Sequence, residues 1–322
     1  MEKINTLILQ KSRSIPAVIR DGYRLYTGNF KRLFRASWIA AIVYGLCFAL
    51  MMNFMINDVL SLVVTVSTFG WQTLDSLDFR PVLLMAGGSV LLFVMAALTL
   101  ASYATGACTV HQKTGEIERP ARWFGTFNLK ALLRLLMATV WMTLLMAVVC
   151  ALFAAVIYGV MEAGIVDNLW KSVATIALLL ILACVALAFL VPLAYPFMSR
   201  AVNEPFNWRP PFKGYLLGLR HWSLLFVTLM VTAFVTVVLT LVCELPAFVI
   251  AIANAKAYAG AAMGDPLNLP ENMALMSTLA FIVAGFVQAY VHLYTVFPLY
   301  YAYGSIEQWK AEINKNHFDA NQ

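Results

Sequence analysis

Six long apolar runs dominate the chain, over residues 36–57, 82–105, 132–161, 172–198, 222–252 and 275–303, and polar stretches separate them. The cleanest is Leu132–Met161, thirty residues with one charge, Arg134, near its start. A hydrocarbon core of roughly 30 Å is crossed by about 20 helical residues, so each run is long enough to span it as a helix. Lipid offers the backbone no partners, so its N–H and C=O groups have to be satisfied within the helix. The pattern predicts an all-α polytopic membrane helix bundle with six transmembrane helices arranged as three hairpins.

Three segments follow from the pattern: a basic amphipathic lead-in over 1–35, the six-helix domain over 36–304, and a polar tail over 305–322. In the lead-in, Ser14-Ile15-Pro16 has the form of a helix start. Ile15, Val18, Ile19, Tyr23 and Tyr26 then recur at helical spacing, and Gly28-Asn29 is expected to end the helix. Such a helix can lie in the headgroup layer with its apolar side down or pack beneath the bundle, and the two arrangements are compatible. No apolar leader precedes Trp38, so the first span is expected to act as the insertion signal.

The hairpins look repeated. The first, third and fifth spans begin near 36, 132 and 222, after lead-ins such as Phe30-Lys31-Arg32-Leu33-Phe34-Arg35, Phe127-Asn128-Leu129-Lys130 and Phe212-Lys213-Gly214-Tyr215. The fourth and sixth spans share Pro-Leu-x-Tyr, at Pro192–Tyr195 and Pro298–Tyr301. The outer connection over 58–81 is left open between an extension of the first helix and an irregular cap. The Ala-rich stretch from Ala253 is expected to prolong the fifth helix, with a break at Gly264-Asp265-Pro266 and the sixth helix starting at Leu269-Pro270-Glu271.

Composition agrees: 62% of the 322 residues are hydrophobic and 12% charged, about half the charged share of an average soluble domain. The net charge of +6 does not point to nucleic acid, because the basic residues flank the apolar runs. Nineteen Lys and Arg fall on the side of the two termini, against Arg80, Lys171 and Lys256 on the other. By the positive-inside rule, both termini are expected in the cytoplasm. Trp38, Trp123, Trp208, Trp222 and Trp309 near one face, with Trp71 and Trp170 near the other, form the aromatic belts of that topology. Cys47, Cys108, Cys150, Cys184 and Cys243 sit in or next to apolar runs with no C-x-x-C pair, as small buried hydrophobes do.

Three hairpins match mitochondrial carriers in number only, since no Pro-x-Asp/Glu-x-x-Lys/Arg signature ends the first, third or fifth span. The basic amphipathic lead-in Lys31–Trp38 before an odd-numbered helix resembles bacterial six-helix inner-membrane proteins of the YciC type. It also resembles the membrane domain fused to some glycerophosphodiester phosphodiesterases. That resemblance implies a bacterial cytoplasmic membrane and brings no catalytic residues with it.

Ionisable and polar groups at bilayer depth are functional candidates. Glu244, in Cys243-Glu244-Leu245-Pro246, is expected near the outer interface, either reaching headgroup water and carbonyls freed by Pro246 or forming a cation or proton site. Gln288, His292 and Thr295 share one face of the sixth span, which Gly285 continues, either as a hydrogen-bonded seam or as a cavity lining. Asn53, Tyr290 and Tyr294 are candidates to join them. Pro192, Pro196, Pro246 and Pro298 predict kinks, and Gly214-Tyr215-Leu216-Leu217-Gly218 predicts a close approach. Asp75 and Asp78 make only a common spacing.

The four histidines, His111, His221, His292 and His317, have no iron-box spacing, and no His-Glu-x-x-His, Gly-x-Ser-x-Gly or phosphate loop occurs. No enzyme activity, cofactor or metal is therefore expected. The expected role is lipid-interacting, scaffolding or partner-assisting, with membrane lipids and a protein partner or second copy as partners. The alternative is a transporter of a small solute or lipid with a cavity lined by the sixth span.

Overall fold

A computed structural model describes residues 9, 11–56, 79–114, 129–162, 168–202, 212–262, 264, 270 and 272–319. Expectations for 1–8, the 58–78 connection with Trp71, Asp75 and Asp78, the stretch with Arg119, Arg122 and Trp123, and the stretch with Trp208 and Arg209 lie outside the described residues. The described elements are helices: α1 Ile15–Phe54, α2 Phe79–Thr114, α3 Leu129–Glu162, α4 Asn168–Leu190, α5 Ala194–Val202, α6 Tyr215–Arg220, α7 Trp222–Ala262, α8 Met273–Tyr294 and α9 Val296–Asp319. Six segments among them are long and apolar enough to cross a membrane: Ile15–Phe54, Leu84–Lys113, Ala131–Val156, Ile176–Val202, Trp222–Ala257 and Met273–Lys315. They match the six predicted runs one for one. The hairpin partners α1–α2, α3–α4 and α7–α8 each pack together, and α1 also lies against α7, α8 and α9.

Gly28-Asn29 does not end the first helix, which continues unbroken to Phe54. Asn29 Nδ2 donates to the Leu25 carbonyl at 3.0 Å and Thr27 Oγ1 to the Tyr23 carbonyl at 2.9 Å, so both polar side chains serve the helix instead of competing with it. Continuity also brings Tyr26, Phe30 and Phe34 from successive turns onto Tyr290 and Tyr294 of α8, at ring separations of 5.2–6.0 Å. Val18 and Leu25 are buried, so the lead-in packs under the bundle. The helix α1 runs through 35/36 and α9 through 304/305, with Ser305 and Ile306 buried.

α1 and α8 approach so closely that glycine is required. A Cβ on Gly45 would stand 2.6 Å from the Ile282 carbonyl oxygen, and one on Gly285 would stand 2.9 Å from the Gly45 Cα. The predicted Gly214–Gly218 approach is real but joins different partners. Gly214 starts α6 in the left-handed region, and Gly218 leaves room for the Pro192 carbonyl, whose oxygen would lie 2.3 Å from an added Cβ.

The prolines act unequally. Pro192 lies in a 3-10 turn, Val191–Leu193, between α4 and α5. Pro298 has no N–H for the Tyr294 carbonyl, and the chain breaks at Thr295 between α8 and α9. Pro246 is accommodated inside α7, which extends to Ala262 as the Ala-rich stretch predicted. α8 begins at Met273, later than expected, with Pro270 outside the helix accepting from the Met273 N–H at 2.9 Å.

Candidate functional site

The close pass of α1 over α8 builds a polar seam around Tyr44. Its hydroxyl lies 3.3 Å from Gln288 Oε1 and 3.2 Å from His292 Nδ1. Donating to the amide oxygen leaves the hydroxyl oxygen to accept from the imidazole N–H. Gln288 and His292 thus meet as the sequence suggested, through a tyrosine it had not singled out. Thr295 does not join them: it donates to the His292 carbonyl at 2.7 Å in the α8–α9 break. Thr295 borders a mostly apolar cavity of ≈ 260 Å³ with Thr105, Leu135, Met198, Thr232 and Leu299. Asn53 lies elsewhere on the interface, donating to Thr278 Oγ1 at 2.9 Å.

Glu244 is buried in the bundle. It lies close to midway along α7, 6% exposed, because α7 continues well past Pro246 and pairs along α8 as far as Asn254, which donates to Ser277 Oγ at 2.8 Å. The carboxylate is within electrostatic reach of Tyr44. Its Oε1 is buried with no hydrogen-bond partner among the described residues.

The inner face of α7 leads to that carboxylate. Thr228, Thr232, Thr236 and Thr240 precede Glu244 at steps of four, so each is the surface neighbour of the next and the row winds by about 40° per step around the helix. Thr228, Thr232 and Thr236 are buried, and so is the Thr240 oxygen. The opposite face carries exposed apolar residues such as Phe234, Val242 and Val249. The i+4 spacing was readable in the sequence. Threonine barely disturbs an apolar run, so the row carries little signal in hydropathy.

A second polar region lies where the two ends of the described chain meet. Arg13 Nε donates to Asp21 Oδ2 at 2.9 Å, its Nη1 to the Leu9 and Lys11 carbonyls at 2.9 and 3.2 Å, and its backbone N–H to Ser305 Oγ at 2.9 Å. Its guanidinium also sits over the Tyr301 ring, 4.5 Å from the centroid. His111 Nδ1 meets the Tyr300 hydroxyl at 3.0 Å, and Tyr195 donates to Glu307. The sequence counted Arg13 only as a topology charge, and nothing in the eight-residue spacing to Asp21 signals a pair.

Beside this network opens a cleft of ≈ 520 Å³ with Ser12, Arg13, Ser14, His221, Ser223 and Ser305 on its walls. Burial, and then the neighbouring Arg220, push the His221 imidazole below its ordinary range. Arg220 itself lies over the Trp309 ring at 4.4 Å.

Among the described residues, no three His, Cys, Asp or Glu side chains group as metal ligands. Comparison with protein-family models, with curated proteins and with solved structures finds no match to the chain, so the site is read from its own chemistry.

Proposed function

We propose that this chain is a non-enzymatic, lipid-interacting protein of the bacterial inner membrane, with both termini in the cytoplasm and a scaffolding or partner-assisting role. The observation that carries the reading is an apolar groove of ≈ 340 Å³ walled by Tyr26, Phe30, Phe34, Leu239, Phe286 and Tyr290. Its size falls in the range of roughly 300–1,000 Å³ typical of small-ligand sites. Phe30, Phe34 and Leu239 remain exposed along its rim. An acyl chain lying among these rings gains the dispersion contacts that loosely packed lipid does not supply.

Native mass spectrometry in mild detergent tests this. The wild type is expected to retain lipid, and Leu239→Trp, which fills the groove from α7, is expected to lose it with the helical content unchanged. A wild type that flies bare would sink the reading. Orientation has its own test: reporters fused after Gly115 and after Pro266 should report opposite compartments, the first cytoplasmic.

The ≈ 260 Å³ cavity, bordered by Thr295, Val296 and Leu299 of the sixth span, favours transport of a small solute or lipid as the second reading. Flux in proteoliposomes that Val296→Trp abolishes would establish it; flux that survives the plug would remove the cavity from any pathway.

A further inference from the structure

We propose that Glu244 is a proton-binding site, reached from the end of the bundle that carries both described chain ends by a file of water molecules held on Thr228, Thr232, Thr236 and Thr240. The proposal is independent of the lipid groove.

The first observation is a contrast within the molecule. Threonines elsewhere in the helices close back onto their own carbonyls: Thr99 on Met95 at 2.8 Å, Thr109 on Thr105 at 2.9 Å, Thr139 on Leu135 at 2.8 Å and Thr143 on Thr139 at 2.9 Å. That is the ordinary way to satisfy a hydroxyl in an apolar helix. Thr228, Thr232 and Thr240 do not take it. Their buried hydroxyls have no hydrogen-bond partner among the described residues, and Thr236 alone back-bonds, to the Thr232 carbonyl at 2.8 Å. Buried polar groups are seldom left so, and water is the usual partner when protein is not.

The spacing suits water. Four residues of α-helix rise about 6 Å. One water bridging two hydroxyls by bonds of roughly 2.8 Å covers nearly that distance. Thr232 also borders the ≈ 260 Å³ cavity, together with Thr105 and Thr295. At one end the file begins a turn beyond Leu224, which lines the ≈ 520 Å³ cleft with His221 and Ser223. At the other it ends on Glu244 Oε1.

The ligand follows from the surroundings of the carboxylate. α1 carries no charged residue between Arg35 and Phe54, and α8 carries none at all. Tyr44 on α1 is within electrostatic reach of Glu244, His292 on α8 bonds to that tyrosine, and Cys243 is exposed on α7 itself. None is a fixed cation. An isolated carboxylate buried in such a place is costly, and taking up one proton removes the charge without any further ligand. The step is a plain proton transfer: an excess proton passes along the file and ends on the carboxylate, with each water and hydroxyl keeping its proton count.

Infrared difference spectroscopy of the full-length protein in lipid tests this between about pH 5 and about pH 9. A protonated-carboxyl carbonyl band is expected that titrates in this range and vanishes in Glu244→Gln. On transfer to heavy water it should shift promptly, and the combined variant Thr232→Val and Thr240→Val should slow that shift at least about tenfold, because two hydrogen-bonding stations are gone. Thr139→Val, which removes a back-bonded hydroxyl on α3, should leave the rate unchanged, and thermal unfolding checks that all variants are folded. A carboxylate ionised across the whole range would overturn the proton site, with a bound metal cation as the replacement. A shift rate unaffected by the two valines would overturn the file.

Discussion

Arg13 and Glu244 are both charged residue types buried in the bundle, 9% and 6% exposed. Arg13 is well bonded: a carboxylate, two backbone carbonyls and a ring face receive its guanidinium. Glu244 has an oxygen with no partner, and three of the four threonines leading to it are in the same state. A buried polar group that is fully bonded rigidifies its surroundings, whereas one left open destabilises the fold unless something else binds there. The Arg13 end therefore reads as a clasp and the α7 face as a working surface.

The largest expected effect tests the clasp. Asp21→Ala leaves Arg13 buried without its counter-charge, and thermal or chemical unfolding in detergent should show a loss of about 3–5 kcal/mol. A loss below about 1 kcal/mol, the size of an exposed ion pair, would mean that Arg13 holds nothing together. Next comes the close pass that carries the seam. Gly285→Val puts atoms where the Gly45 backbone lies and should cost about 1–3 kcal/mol by overpacking, read in the same unfolding assay. Tyr44→Phe removes a hydroxyl bonded to Gln288 and His292 and should cost about 1 kcal/mol.

The smallest effect is the sharpest. Thr139→Val should cost up to about 1 kcal/mol, because its hydroxyl is bonded within the protein, whereas Thr232→Val should cost less, because the hydroxyl it removes bonds only to exchangeable water. If both valines destabilise alike, the two classes of threonine are not different and the comparison collapses.

The six spans were legible because length and apolarity are local properties of a run. The Gln288–His292 face was legible from helical periodicity alone. Three things were not. Gly28-Asn29 reads as a stop by propensity, but the aromatic packing of Tyr26, Phe30 and Phe34 on α8 overrides it. The burial of Glu244 depends on α7 pairing with α8 as far as Asn254, which no local pattern in the fifth apolar run reveals. The hub Tyr44 and the clasp of Arg13, Asp21, Ser305 and Tyr301 depend on helix pairings far apart in sequence, and no local pattern encodes them.

The partners of α1 come from the opposite end of the chain: Gln288, Tyr290 and Ser305 are synthesised long after Tyr26, Tyr44 and Arg13. At roughly 5–20 residues per second, the first helix waits for tens of seconds in the membrane with its glycine notch and aromatic face uncovered. Biogenesis thus ends where it began, with the last hairpin docking onto the first helix. A ribosome stalled before Met273 would leave α1 open to whatever insertion factor or quality-control protease reaches it first.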